Sequence, residues 1–556
     1  MENLSILIGG RAGFGIDKSG SIISYMINRL GYRTYVYRDY PSIIRGGHTF
    51  SVIRSSEKKI LAHREAVDYL LALNQDTITL HKNKLKDSSI IVYDADTVKC
   101  DGVCPVKNSL GIPVGKILKE EQAPEIMRNT CIIGGFSKTI GIGWDVVEAV
   151  LRKEISKDIE INLKVARRGY DEAKQVVATK SLNREPLPLL TGNEAISLGL
   201  IRGGLKTYIS YPMTPTSPIL HFLAAAADEF SLKVIHPESE IAVILMALGS
   251  SYCGEPVAVG TSGGGFCLMT EGLSFSGIAE LPVVIVLGQR PGPSTGLPTY
   301  SSQTELHFAL SAGQGEFTRF VVAPGDTEEA YFWSGVSLGL SKMFQIPSIV
   351  LVDKTLCEGT YNFDLDSVTK LKEYTYPVWD RKAPYKRYAF TESGVSPLAF
   401  AQDKDAVIKI NSYEHDEYGL TTEDPLITVK MNDKRLAKRR SLIKELEGYE
   451  AVKTYGAKDS STVLLCWGSN KGVCKEVAED LNIKAVQPVV LSPFPADGLK
   501  DALKDAKKII SVENNATGQL RSLITGFGIN VNDEILKYDG RPFSVDELEE
   551  KVKSKL

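Results

Sequence analysis

Cysteine is scarce in this sequence, eight in 556 residues, and the eight do not cluster. Cys100 and Cys104 form the nearest pair, with three residues between them and no second close pair, so the repeated spacing that holds an iron-sulfur cluster is missing. The other six stand alone in apolar segments, where reduced core thiols of a cytosolic protein are expected. No metal site is expected on this chain. Charge of one sign is lacking as well: a formal net charge of −3 provides no basic field and argues against a nucleic-acid partner. No apolar run approaches the roughly 20 residues that span a bilayer, and Met1 to Gly10 has no basic start of a signal peptide. A cytoplasmic protein without a membrane role is the expectation.

Against these absences stand 43 % hydrophobic residues and 48 glycines, which suit soluble α/β domains. Leu4 to Ile8 reads as a strand, and Gly9-Gly10-Arg11-Ala12-Gly13-Phe14-Gly15 as a turn opening a helix, an arrangement that gathers backbone N–H groups into an anion site. The same glycines also suit close strand-helix packing. Arg45-Gly46-Gly47 offers a guanidinium beside open backbone, and Lys18 is the cation nearest the first turn on its helical side. Strands are expected at Tyr69 to Asn74, Ser89 to Tyr93 and Cys131 to Gly135, and helices at Gly141 to Lys153 and Ile161 to Thr179. The boundaries follow from composition: a first domain over 1–180, a linker over 181–190, a second domain over 191–355, a charged and aromatic connecting segment over 356–460, and a third domain over 461–556. Alternating strands and helices make all three α/β with mostly parallel sheets. In the connecting segment the helix Lys434 to Glu447 should bury Leu436, Leu442, Ile443 and Leu446 and leave its basic run solvated.

Chemistry concentrates between Tyr211 and Tyr300. A proline-bracketed turn, Tyr211-Pro212-Met213-Thr214-Pro215-Thr216, follows a strand. Pro237-Glu238-Ser239-Glu240 enters a helix, and a strand opens into Thr261-Ser262-Gly263-Gly264-Gly265. The apolar strand Leu281 to Leu287 leads into Gln289-Arg290-Pro291-Gly292-Pro293-Ser294-Thr295-Gly296-Leu297-Pro298-Thr299. Loops at strand ends thus present a hydroxyl, a carboxylate, a glycine cradle and a guanidinium, where open parallel sheets bind ligands. Read alone, Glu240 is also a plain helix-start glutamate, Arg290 a partner for some acid, and Thr214 a turn stabiliser.

These motifs, in this order, resemble the pyrimidine-binding domain of the 2-oxoacid:ferredoxin oxidoreductases. The resemblance covers nearly the whole chain, as an alpha subunit with a gamma-type domain fused ahead of it. It extends to Glu513-Asn514-Asn515-Ala516-Thr517-Gly518-Gln519-Leu520 and Asp539-Gly540-Arg541-Pro542 of a transketolase C-terminal-like domain. The resemblance implies thiamine diphosphate as cofactor, with its pyrimidine end held by Tyr211, Pro212, Glu240, Ser262, Gly263 and Gly264. Glu240 would hydrogen-bond the far ring nitrogen so that the aminopyrimidine can act as base, with Glu238 ranked behind it. Thr214 and Arg290 would contact a 2-oxoacid, and Lys18, Gly13, Gly15, Arg45, Gly46 and Tyr300 would serve substrate or coenzyme A.

Gly-Asp-Gly followed by a distant asparagine, the usual diphosphate and Mg²⁺ signature, does not occur. By resemblance a beta subunit carries the diphosphate, Mg²⁺ and a [4Fe-4S] cluster, passes electrons to ferredoxin, and completes an active site that is inactive on this chain alone. Many relatives place Lys or Arg where this chain has Tyr300; if that position meets the distal end of the substrate, the loss of a cation favours a less charged acid over 2-oxoglutarate, unless Lys18 compensates, and the choice stays open. Two other readings are a non-catalytic coenzyme A- or nucleotide-binding regulatory subunit and an aryl 2-oxoacid (indolepyruvate-type) oxidoreductase subunit.

Overall fold

The computed structural model describes residues 3–42, 46–100 and 108–556. It resolves into two compact units, one made of 1–190, 358–364 and 543–556, the other of 191–357 and 365–542.

The first unit is built on an eight-stranded mixed sheet. Its order is Asn108–Ile112, Leu85–Asp94, Val67–Ala72, Asn3–Arg11, His48–Ser56, Arg33–Asp39, Thr360–Asn362 and Leu189–Thr191. The first four run parallel, whereas His48–Ser56 pairs antiparallel with both of its neighbours. Two distant segments join this unit through specific contacts. Thr360–Asn362 pairs with Arg33–Asp39, and Asp546, in the helix Val545–Lys553, accepts hydrogen bonds from Arg64 Nη1, Glu65 N and Ala66 N. The last residues therefore pack here and not with the third domain expected over 461–556.

Cys131 to Gly135, expected as a strand, lies inside the helix Arg128–Thr139. A short apolar run does not distinguish a buried helix from a strand. What settles it is packing against the helix Ile159–Glu172: a Cβ on Gly134 would lie 2.0 Å from the Ala166 carbonyl oxygen, and one on Gly169 would lie 2.1 Å from that of Cys131. Cys100 is disulfide-bonded, and Cys253, just past the helix Glu240–Tyr252, and Cys267 are exposed free thiols, so the reading of reduced core thiols does not hold for Cys253 and Cys267.

The second unit holds a seven-stranded sheet in the order Val490–Ser492, Phe320–Val322, Pro347–Asp353, Val283–Gln289, Val257–Ser262, Thr207–Ile209, Lys233–Ile235, parallel throughout except at its Val490–Ser492 edge. A five-stranded sheet follows, in the order Val452–Gly456, Lys484–Pro488, Thr462–Cys466, Lys508–Glu513, Asp533–Leu536. One apolar core joins the two sheets, drawing on Val259, Ile285 and Leu351 from the first and Leu465, Trp467 and Val486 from the second. A buried ion cluster reinforces the join. Lys471 Nζ bonds Asp326 and Glu329, and Asp326 also caps the helix Thr327–Phe344 by accepting from Glu329 N.

The connecting segment packs on this unit through a helix that meets the expectation only in part. The helix Pro425–Leu446 buries Leu442 and Leu446 as expected, but it exposes Leu436 and Ile443 and buries Lys434 and Lys438. Lys434 Nζ donates to both carboxylate oxygens of Glu280, at 2.7 and 2.8 Å, and Lys438 pairs with the same group. Burial alone would raise the pKa of Glu280, but Lys434, Lys438 and Arg387 together hold it below the ordinary carboxylate range.

Candidate active site

The carboxyl ends of the central strands of the seven-stranded sheet carry the site. Ser262 ends the strand Val257–Ser262 and is the N-cap of the helix Gly263–Ala279, so backbone N–H groups of the glycine run face out at a helix start. Glu240 begins the helix Glu240–Tyr252, which the Ser239 side chain caps by accepting from Ala242 N. The two helix starts meet. A Cβ on Gly265 would lie 2.1 Å from Thr261 Oγ1 and 2.5 Å from Glu240 Oε1, so glycine is required there for the carboxyl group to occupy its place. Glu240 is 3 % exposed and its Oε1 has no hydrogen-bond partner, whereas Glu238 is exposed. A buried carboxylate oxygen without a donor is costly unless a ligand completes it.

The proline-bracketed turn lies on the same strand ends. Thr216 Oγ1 donates to Thr261 O at 3.3 Å and Ser262 Oγ contacts Met213 Sδ. A Cβ on Gly288 would meet Pro215 and Thr216. Arg290, just past the strand Val283–Gln289, donates from Nη1 to the Thr214 carbonyl oxygen at 3.1 Å. Tyr211 and Pro212, at the start of the turn, are half-buried. The structure thus brings Thr214, Arg290, Glu240 and Ser262 to Gly264 around one cluster of strand ends. Gly264 is open: an added Cβ would have the Ser294 carbonyl oxygen as its nearest neighbour, at 3.9 Å.

Glu305 is the residue that the sequence reading missed. It is 9 % exposed, its Oε1 would lie 2.7 Å from a Cβ on Gly263, and its Oε2 has no partner. Two buried carboxyl groups therefore flank one glycine run, Glu240 at Gly265 and Glu305 at Gly263. Burial pushes the Glu305 carboxyl up to about 7, against the hydrogen bond from Thr304 and the pull of Arg290. Burial likewise lowers Arg290 from its ordinary value, and Glu305 counteracts that.

Tyr300 and Glu305 belong to a loop held in place by the five-stranded sheet. Gln303 N donates to Asn514 O at 2.8 Å, Asn514 N and Asn470 Nδ2 donate to Gln303 Oε1, and Asn515 Nδ2 donates to Gln303 O. Glu513 anchors the opposing loop by accepting from Trp467 Nε1, Asn515 Nδ2 and Leu520 N. The Arg541 guanidinium lies 4.8 Å from the centre of the Tyr300 ring.

The remaining expected site residues lie in the first unit. Gly13 and Gly15 both take positive φ, 98° and 68°, and Gly46 takes 83°. The two glycine turns touch, Ala12 N donating to Gly47 O at 3.2 Å, and a Cβ on Gly13 or Gly46 would meet nothing within 4 Å. Lys18 forms an exposed ion pair with Glu154 at 2.8 Å, and Arg45 lies outside the described residues.

Comparison with known proteins agrees with this layout. Residues 198–433 match the family "Pyruvate flavodoxin/ferredoxin oxidoreductase, thiamine diP-bdg" and residues 5–172 match "Pyruvate ferredoxin/flavodoxin oxidoreductase". The 2-oxoacid:ferredoxin oxidoreductase subunit alpha of Sulfolobus sp is 32 % identical across 98 % of this chain and 96 % of its own. A 2-oxoglutarate synthase subunit KorA of Archaeoglobus fulgidus is 28 % identical across 59 % of this chain and 88 % of its own. Among solved structures, the 2-oxoglutarate:ferredoxin oxidoreductase of Magnetococcus marinus, with 2-oxoglutarate, coenzyme A and succinyl-CoA bound, superposes with a TM-score of 0.90 at 28 % identity, covering 100 % of both chains. This chain belongs to the 2-oxoacid:ferredoxin oxidoreductases, as an alpha subunit of that family of enzymes.

Proposed function

We propose that this chain contributes the pyrimidine-binding half of an active site that oxidatively decarboxylates a 2-oxoacid onto coenzyme A. Overall, the bond between the keto carbon and the carboxylate breaks to release CO2, a carbon–sulfur bond forms to give acyl-CoA, and two electrons pass to ferredoxin with release of a proton. The single observation carrying the reading is Glu240, buried at the glycine run with Oε1 unpartnered. Thiamine diphosphate, when bound, supplies the electron sink on which such a carbon–carbon bond can break.

The residues fit that group. Glu240 would hold the pyrimidine end through its unpartnered oxygen and keep a proton at the ring nitrogen, and Tyr211, Pro212, Ser262, Gly263 and Gly264 would line the space beside it. Arg290 would orient the substrate carboxylate, since a guanidinium half-withdrawn from water binds a planar anion strongly. Thr214 would stand beside the reacting carbonyl. The touching glycine turns at Gly13, Gly15 and Gly46, together with Arg45 and Lys18, would receive coenzyme A. A beta subunit would supply the diphosphate and Mg²⁺ site and the [4Fe-4S] cluster, because the sequence here lacks their motifs.

Purifying the tagged chain from its native host tests this. A cluster-bearing second chain should co-elute, and the eluate should reduce viologen with coenzyme A and one or more 2-oxoacids. A chain that elutes alone and stays inactive with thiamine diphosphate and Mg²⁺ supplied would refute the reading.

A further inference from the structure

Glu305 has a place in this site that catalysis by Glu240 and Arg290 does not use. It is carried into the interior by the loop that Gln303, Asn470, Asn514 and Asn515 clamp, and its own N–H donates to Gln289 Oε1 at 3.1 Å. Gln289 immediately precedes Arg290, so the Gln289 side chain ties the backbone of Glu305 to the strand end that carries the guanidinium. The surroundings of Glu305 are Gly263 on one side, Thr304 Oγ1 at 3.0 Å on Oε1, and Arg290, whose charge acts on it. Glu240 lies at the far end of the same glycine run, and on the helix Leu306–Ser311, which Glu305 precedes, the nearest ionisable side chain, His307, is exposed. Among the described residues no carboxylate forms an ion pair with Arg290.

We propose that Glu305 is a positioning residue that sets the availability of Arg290: as the neutral acid it leaves the guanidinium to a substrate carboxylate, and as the carboxylate it competes for the guanidinium and repels the substrate. This rests on the reading of Arg290 as the 2-oxoacid carboxylate site. The unpartnered Oε2 is the atom that makes both states accessible, because no hydrogen bond commits it to either. Its elevated proton affinity places the change of state near neutral pH. Glu305 touches no bond that forms or breaks; it acts through Arg290, so its signature is in KM and not in the chemical step.

The test uses the intact complex purified from the host, with KM for pyruvate and for 2-oxoglutarate measured across neutral pH. KM should rise above the Glu305 transition by up to about tenfold per pH unit, the slope of a single linked proton. Glu305→Gln, which cannot ionise, should abolish that slope. Thr304→Ala, at an exposed position, should move the inflection to higher pH by removing a hydrogen bond that favours the carboxylate, without altering Glu305 itself. An unmoved inflection in Thr304→Ala, or the same slope in Glu305→Gln as in the parent, overturns the proposal. A parent enzyme that oxidises 2-oxoacids with a pH-independent KM overturns the proposal alone. A parent that oxidises none at any pH overturns the underlying reading of Arg290, and the proposal with it.

Discussion

The carboxyl group of Glu240 and the missing side chain of Gly265 compete for one small volume, 2.5 Å separating Oε1 from where a Cβ would stand. The glycine run is therefore shaped by the acids that lie on it as much as by what it would bind. Gly265→Ala should displace Glu240 and destabilise the chain by roughly 1–3 kcal/mol, the usual cost of overpacking. Gly264→Ala, which meets nothing closer than 3.9 Å, should leave the melting temperature unchanged and weaken thiamine diphosphate binding instead. Melting curves paired with cofactor titration of the complex distinguish the two. A Gly265→Ala chain as stable and active as the parent would show that the contact is not binding on the fold.

Arg290→Ala should weaken the transition-state stabilisation reported by kcat/KM for the 2-oxoacid by roughly 2 to 5 kcal/mol, the range for truncating one side of a desolvated charge contact with the substrate. Its hydrogen bond to the Thr214 carbonyl oxygen adds a second effect, a looser proline turn. Steady-state kinetics across substrates of different length should show the loss for every acid, because the carboxylate beside the ketone is common to all.

Glu280 is the only carboxylate paired with Lys434 and Lys438 among the described residues. Glu280→Ala should cost about 3–5 kcal/mol, since it strands two buried ammonium groups. Chemical denaturation should show this as a lower midpoint. A shift within the error of the midpoint would mean that the lysines reach water in the variant.

Glu305 gives a pH dependence of stability whose sign is fixed. Its folded pKa, about 7, lies above the ordinary 4.5, so the folded chain binds more protons than the unfolded one between those values. The stability from this group is fully present below pH 4.5 and is lost as pH rises through about 7. Stability of the parent relative to Glu305→Gln should therefore fall by on the order of 3 kcal/mol over that window. Paired melts at several pH values measure it, and a constant difference would contradict the burial of this acid.

Much of the site was legible because its parts are local in the chain. Glu240 follows a capping serine at a helix start, and Arg290 follows a strand whose apolar run announces it. Glu305 was not legible, because it sits in a polar loop and owes its burial to Gln303 and to the Asn514-Asn515 loop more than 200 residues away in the chain. Lys434 and Lys438 misled for the same reason. A basic helical run reads as solvated unless the acid that neutralises it is known, and Glu280 ends the helix Gly263–Ala279, 154 residues from Lys434. The strand Thr360–Asn362 escaped too, since it extends the first sheet from a segment that composition marks as a connection.

In the proposed site Glu240 activates a thiamine cofactor shared with a partner chain. This role is tested most directly by purifying the complex with Glu240→Gln in place and measuring coenzyme A-dependent viologen reduction with 2-oxoacids beside the parent. The complex should stay intact with the same chains, and its turnover should fall at least about a hundredfold, the lower range for a positioned acid or base. An intact complex turning over at the parent rate would contradict it.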